Sequence, residues 1–401
     1  MDFKEPAFYN KLKWSLPWLS RYPLWRANQA LRRATGRSKT AHVVIVVANH
    51  FEPSWSPDKI NLPWDAQMRR LDQWVKEARV TGRQARDADG RPFVHTYFYP
   101  GEQYYAPLLD QIAGMEAEGL GEVEIHLHHG LEKPDTPEEL RRALVEFRDL
   151  LAEEHRCLSR LDGKGHPMYA FVHGNLALAN SMGGQACGVD SEMEILAETG
   201  CYADLTLPAV PHQSQGPLIN AIYQCGGPLN RRAAHYSGPR LRKGDKPRLP
   251  VMFTGPLVFN WRRRKYGMPF PRVDDGALTF NYLPEMARMR DWRETRIGIG
   301  GRPDWIFLKL YCHGFFSNDL DITIGETMRR FLGEMLDEAA RSDEYRIHFA
   351  TAREAFNMMM AAMDDQPGEP GLYRNYRLQQ IRQPTVNPLT REAQRLTARR
   401  A

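Results

Sequence analysis

Histidines and carboxylates recur in this chain where apolar strand-like runs end. Asn49-His50-Phe51-Glu52-Pro53 follows the β-branched run HVVIVVA, and His126-Leu127-His128-His129-Gly130 closes EVEIHLH. His173-Gly174-Asn175 closes MYAFVH, and Cys312-His313-Gly314 closes WIFLKLYC. Imidazole nitrogens beside a carboxylate suit Zn²⁺ and related first-row ions. Residues i and i+2 of a strand share a face, so His126 and His128 point the same way with Glu124 behind them. Two imidazoles about 7 Å apart along a strand clamp one ion only where the strand end curves. Otherwise either of them pairs with His50, His129 or a carboxylate, or His126 is a hydrogen-bonded core residue and His128 and His129 cap the strand. Glu52 sits in a turn fixed by Pro53, placed as a ligand, as a general base, or as an acceptor for backbone N–H groups. Asp204 lies inside the apolar stretch Cys201-Tyr202-Ala203-Asp204-Leu205-Thr206. An unpaired carboxylate is costly there, so it pairs with a cation or belongs to the site. His173 is placed to donate to an oxyanion or a sugar hydroxyl, or to bond the Asn175 turn.

The elements that must carry these groups alternate. Strands are expected at 42–48, 93–99, 122–128, 168–173, 203–208, 251–259 and 305–312, with 345–349 as a last one. Helical spacing of Met68, Leu71 and Trp74 predicts a helix after the first strand. A Thr-x-x-Glu capping box at Thr136 and Glu139 opens another. Further helices fit near 104–118, 190–199, 280–291 and 325–340. Strand–helix alternation repeated seven or eight times predicts a parallel α/β arrangement, and that many units favours a closed barrel over an open sheet. The C-terminal strand ends of such a barrel face one cavity, which would bring His50, His126, His128, His173, Asp204 and His313 together. The stretch 209–250, rich in Pro, Gly and cations, reads as an insertion over one barrel end. The expected organisation is a basic aromatic arm over 1–40, a barrel over 41–365, and a basic tail over 366–401.

Composition sets outer bounds. With 42% hydrophobic and 26% charged residues, the chain is an ordinary globular one. Its net charge of +5 is unevenly placed, because both terminal segments are basic and the body between them is mildly acidic. Trp14, Trp18, Tyr22 and Trp25 are interleaved with Lys11, Lys13, Arg21 and Arg26, so the arm either lies in a membrane interface or packs its tryptophans on the body. Pro17 and Pro23 argue against one continuous helix there. Five cysteines with no C-x-x-C pair read as free thiols in a reducing compartment. No signal peptide and no run of about 20 apolar residues is visible, so a cytoplasmic location, with peripheral contact at the inner membrane face, is expected. An acidic body without a recognition motif speaks against nucleic acid as a partner.

The set NHFEP, HLHHG, FVHGN, CGVDSEMEILAETGCYADLTLP and KLYCHG resembles the polysaccharide deacetylases, within the glycoside hydrolase/deacetylase superfamily, and more closely a divergent bacterial subgroup of them. The resemblance covers roughly residues 42–355 and implies a distorted (β/α) barrel acting on carbohydrate with a divalent metal, Zn²⁺ foremost. Typical members have two adjacent aspartates in their first motif, a base and a metal ligand; Asn49 and His50 stand there. Of their His-x-x-x-His motif, His128 matches the first histidine and Glu132 stands at the second. Their late catalytic histidine matches His313, and their arginine-containing third motif aligns loosely with Phe171-Val172-His173-Gly174. The resemblance implies hydrolysis of an acyl (acetyl) group from an amino sugar or polysaccharide. His50, His128 and His126 or Glu132 would hold the ion, Glu52 would be the base replacing the amide of Asn49, His313 the acid, and His173 with Asn175 would contact substrate. One alternative is a metal-dependent glycosidase, since His50-x-Glu52 is similar to the His-x-Asp metal pair of class II mannosidases; Asp204 would then be the nucleophile. The other is a carbohydrate-binding relic without catalysis.

Overall fold

The computed structural model describes residues 8–35, 40–56, 61–262, 264–265, 267–269, 271–316 and 319–382. Two helices, α1 (Phe8–Leu19) and α2 (Tyr22–Thr35), precede an alternating body. It begins β1 (Ala41–His50), α3 (Trp64–Gln84), β2 (His95–Pro100), α4 (Ala106–Ala117), β3 (Gly121–Leu127), α5 (Pro137–Glu153), β4 (Ser159–Leu161) and β5 (Lys164–His173). There follow α6 (Glu192–Thr199), β6 (Cys201–Asp204), β7 (Ala221–Gln224), β8 (Val251–Thr254) and four short ribbon strands, β9 (Val258–Asn260), β10 (Arg264–Lys265), β11 (Met268–Pro269) and β12 (Arg272–Asp274). The body ends with α7 (Met286–Arg293), β13 (Trp305–Cys312), α8 (Asp319–Thr323), α9 (Glu326–Arg341), β14 (Tyr345–Ala350), α10 (Ala352–Met363) and β15 (Leu378–Gln380).

One mostly parallel sheet of 11 strands organises the molecule, with the order β13-β1-β2-β3-β5-β6-β8-β7. β7 is antiparallel to β8, and β4 is antiparallel to β5 and to β15. β1 runs buried from end to end because it is enclosed on both edges and both faces. One edge pairs with β13 through 42–49; the other pairs with β14 through 41–46 and then with β2 through 48–50. Period-2 alternation sorts its side chains. Val43, Ile45 and Val47 join the core under α3, α4, α5 and α9, whereas Val44, Val46 and Ala48 join a second core on the inner face. α10 fills that inner face. Its sequence is rich in Ala and Met, and every residue except Met360 is buried, the polar Arg353, Glu354 and Asn357 included. A capping box at Thr351 and Glu354 opens it, and its Arg353 meets the inner-face Glu122 at 2.7 Å.

Two expected strands are shorter than their apolar runs. The run at 203–208 contributes only the end of β6, which stops at Asp204 ahead of Pro208, and the run at 251–259 divides into β8 and β9 around Gly255-Pro256. Part of the 209–250 insertion is ordered into the sheet edge as β7. The chain beyond 366 continues to pack: Arg374 pairs with Asp87 and Asp89, and Leu378 is fully buried. Residues 383–401 lie outside the described residues, as do 1–7. In the arm, Trp18 is buried against Ile219, Leu257 and Phe259, and Trp25 is buried beside Tyr22. Trp18 therefore packs on the body. All five cysteines are free and buried, and no described helix is long and apolar enough to cross a membrane.

Candidate metal centre

β1 delivers His50 to the inner face, the next inward position after Ala48, and β3 delivers Glu122, Glu124 and His126 to the same face. Down that row each polar group is answered. Glu122 meets Arg353; Glu124 accepts from Tyr202 Oη and from the Ala170 N–H, and His126 Nδ1 donates to the Val172 carbonyl at 2.9 Å. That last bond fixes the tautomer, so the lone pair of His126 lies on Nε2. This atom is fully buried and has no hydrogen-bond partner among the described residues. An orphaned imidazole nitrogen is costly unless something else satisfies it.

What it faces is a donor set. Ligand atoms of His50, Glu52 and His126 lie within 4.8 Å of one another. The rings of His50 and His126 are 4.7 Å apart between centroids, and the ring of His313 is 4.5 Å from that of His50. Burial, with the neighbouring His313, His126 and His128, holds His50 well below the usual imidazole range. Burial and the charge of His128 likewise bring His126 to about 4. Both are neutral and have lone pairs to give. Burial would raise Glu52, but the His128 hydrogen bond and the adjacent imidazoles bring it to about 2, so it is a carboxylate. Two neutral imidazoles and one carboxylate form a recognised zinc ligand set.

His128 differs from its neighbours. Its Nδ1 is 2.5 Å from Glu102 Oε1 and its Nε2 is 3.2 Å from Glu52 Oε1. A ring with a carboxylate on each nitrogen holds a proton on both. Although burial opposes the charge, the two carboxylates raise His128 to about 10. Glu102 is the residue that sequence reasoning missed. It stands in the turn after β2, the first strand end with a carboxylate and no histidine, and that pattern was the available signal. Also missed was an aromatic wall: Trp55 stacks on Phe316 at 4.1 Å, and Phe316 stacks on His313 at 4.2 Å.

Other expected members lie elsewhere. Asn49 points to the opposite face from His50, where its Oδ1 accepts the Gly314 N–H at 3.0 Å and its Nδ2 meets His95. It thus clamps the turn that carries His313 and does not reach the donor set. His173 and Asn175 also belong to the opposite face: Asn175 N–H donates to His173 Nδ1, and Asn175 Nδ2 donates to the His129 carbonyl. Asp204 pairs in register with Phe171 and Met252, both members of the outer core, and accepts two bonds from Thr206. Glu132 is exposed on the turn after Gly130 and is in none of the donor groups among the described residues. A single cavity containing all the strand-end residues was the expectation; the alternation of β-strands divides them between two faces. No known protein-family model matches the chain, and no curated protein matches it.

Proposed function

We propose that the protein is a metal-dependent hydrolase that removes acyl groups from an amino sugar or polysaccharide. The observation that carries this reading is the buried, unpartnered Nε2 of His126 beside His50 and Glu52 at the C-terminal ends of parallel strands. His50, His126 and Glu52 would hold the ion, Zn²⁺ by the chemistry of its donors. Such an ion, when bound, polarises an acyl carbonyl and lowers the pKa of water. His128 has a proton to give, held in place by Glu102, and is the group suited to protonate a leaving nitrogen or oxygen. His313, neutral and outside that ligand set, is the group able to accept one. The neutral His313 must receive a proton before it can act as an acid, which changes the role expected of it from sequence. Trp55 and Phe316 offer an apolar face beside the site, of the kind that packs against a sugar ring.

The fold supports the deacetylase-like reading. The free edge of β13 is covered by residues 276–278 and 297, through bonds such as Phe307 N–H to the Ile297 carbonyl at 2.7 Å. Lys309 reaches from β13 to the Leu205 carbonyl beyond β6 at 3.0 Å. We read this curled sheet as a distorted barrel. A glycosidase would need a carboxylate nucleophile, and the place of Asp204 on the other face counts against it.

The test is acetate release from N- and O-acetylated oligosaccharides. Glu52→Gln and His313→Ala should each lower it by about a hundredfold or more. Reducing ends produced without acetate would replace the deacetylase with a glycosidase.

A further inference from the structure

On the outer face, a second donor set is built from residues that the hydrolase reading does not use. His129 lies in the loop after β3 with its ring 4.7 Å from that of His173, which ends β5; Cys187 comes from the loop before α6, and Glu192 is the first residue of α6. One ligand atom from each lies within 4.8 Å of all the others. His129 Nε2 is 3.2 Å from Glu192 Oε1, His173 Nε2 is 3.8 Å from that oxygen, and Cys187 Sγ is 3.5 Å from Glu192 Oε2. We propose that His129, His173, Cys187 and Glu192 form a second divalent-metal site, structural in role and suited to Zn²⁺.

Four observations converge on it. Zinc bonds of about 2.0–2.1 Å to nitrogen or oxygen and about 2.3 Å to sulfur place tetrahedral ligands roughly 3.3–3.6 Å apart, close to the spacings of His129 and Cys187 from Glu192. Asp135 Oδ2 accepts from His129 Nδ1 at 3.0 Å, the carboxylate support that orients a metal-binding imidazole and turns its Nε2 toward the ion. His173 Nε2 is fully buried, aimed into the cluster, and has no hydrogen-bond partner among the described residues. The site is also closed, as a structural site should be. Asp135 N–H bonds the Cys187 carbonyl at 2.8 Å, and Gly130, at φ +68, lies so close to that carbonyl that a Cβ would meet it at 2.0 Å.

Without an ion these atoms make a buried ion pair, with His129 protonated between Asp135 and Glu192. His173 then keeps its proton on Nε2, because Nδ1 accepts the Asn175 N–H at 3.2 Å. That proton reaches no acceptor among the described residues. Metal binding expels protons from its ligands, and the ring proton moves to Nδ1 at the cost of one long hydrogen bond. The ion would tie the ends of β3 and β5 to α6. It would thereby fix the turn whose Gly174 rests against His128, where a Cβ would lie 2.5 Å from Nε2.

The full chain, stripped of metal and reloaded with stoichiometric Co²⁺, provides the test. The inner donor set contains no sulfur, so a thiolate-to-cobalt charge-transfer band reports on the outer site alone. The band is expected in the wild type, is expected to persist in His50→Ala, and is expected to vanish in Cys187→Ser. If Cys187→Ser does not fold, X-ray absorption of zinc-loaded His50→Ala decides, with one sulfur expected among the ligands. Cobalt-loaded wild type without the band, or zinc in His50→Ala without a sulfur neighbour, would overturn the second site and leave the inner one untouched.

Discussion

Held between Glu52 and Glu102, the His128 ring is cationic, whereas His50 and His126 a few ångströms away are neutral. This division of charge separates proton donor from metal ligands, and it follows from the placement of two carboxylates. Removing one should be visible in kinetics. With His128 as the acid, activity is lost as pH rises through its pKa, and Glu102→Gln lowers that pKa. The basic limb of the rate profile should therefore move to lower pH in Glu102→Gln; an unmoved limb would remove His128 from the acid role. Asp204 gives a stability counterpart. Burial raises its carboxyl to about 7, with Thr206 opposing the shift. Between about pH 4 and 7 the folded chain holds a proton that the unfolded chain has released, so this group's contribution falls as pH rises through that window. Asp204→Asn should melt above wild type near pH 8 and converge with it near pH 4, as followed by thermal unfolding at both values. Its acetate release should match wild type.

At the scale of strands and turns, much was legible in sequence. A β-branched run announced β1 and an apolar run β13, and the Thr136 cap is present, its side chain accepting the Glu139 N–H. The strand-end histidines were legible as chemistry, but their grouping was not. Adjacent residues such as Asn49 and His50 face opposite ways on a strand, and pattern alone does not say which face the cavity occupies. Contacts between turns, such as Glu102 with His128, are invisible because they join residues far apart in the chain. Gly174 tests one such contact. A Cβ there would lie 2.4 Å from His128 Cδ2, so Gly174→Ala must displace the ring. Displacement of roughly 1 Å costs about a hundredfold in rate, and acetate release should fall on that order while the fold is retained by circular dichroism. Unchanged kinetics would show that His128 does not need its present position.

The molecule as a whole is a mostly parallel sheet with helices over its outer face, α10 within its inner face, and an N-terminal arm closing over β9 through Trp18. Because Trp18 is 1% exposed, Trp18→Ala should cost about 3–5 kcal/mol and lower the melting midpoint by several degrees. A midpoint equal to wild type would mean that the arm is only loosely attached. The arm's other side carries exposed Tyr9, Leu12 and Leu16, one stripe of α1, among basic residues. The C-terminal tail was legible only as charge: residues 366–382 pack on the body through ion pairs that composition does not reveal. Metal binding at the inner face is the point on which the hydrolase reading turns. The measurement that bears on it most directly is an anomalous difference map, recorded at the zinc edge from crystals of protein loaded with stoichiometric zinc. The predicted result is a peak bonded by His50, His126 and Glu52 at about 2.0–2.2 Å. A zinc-loaded crystal with no density among those three side chains would contradict it.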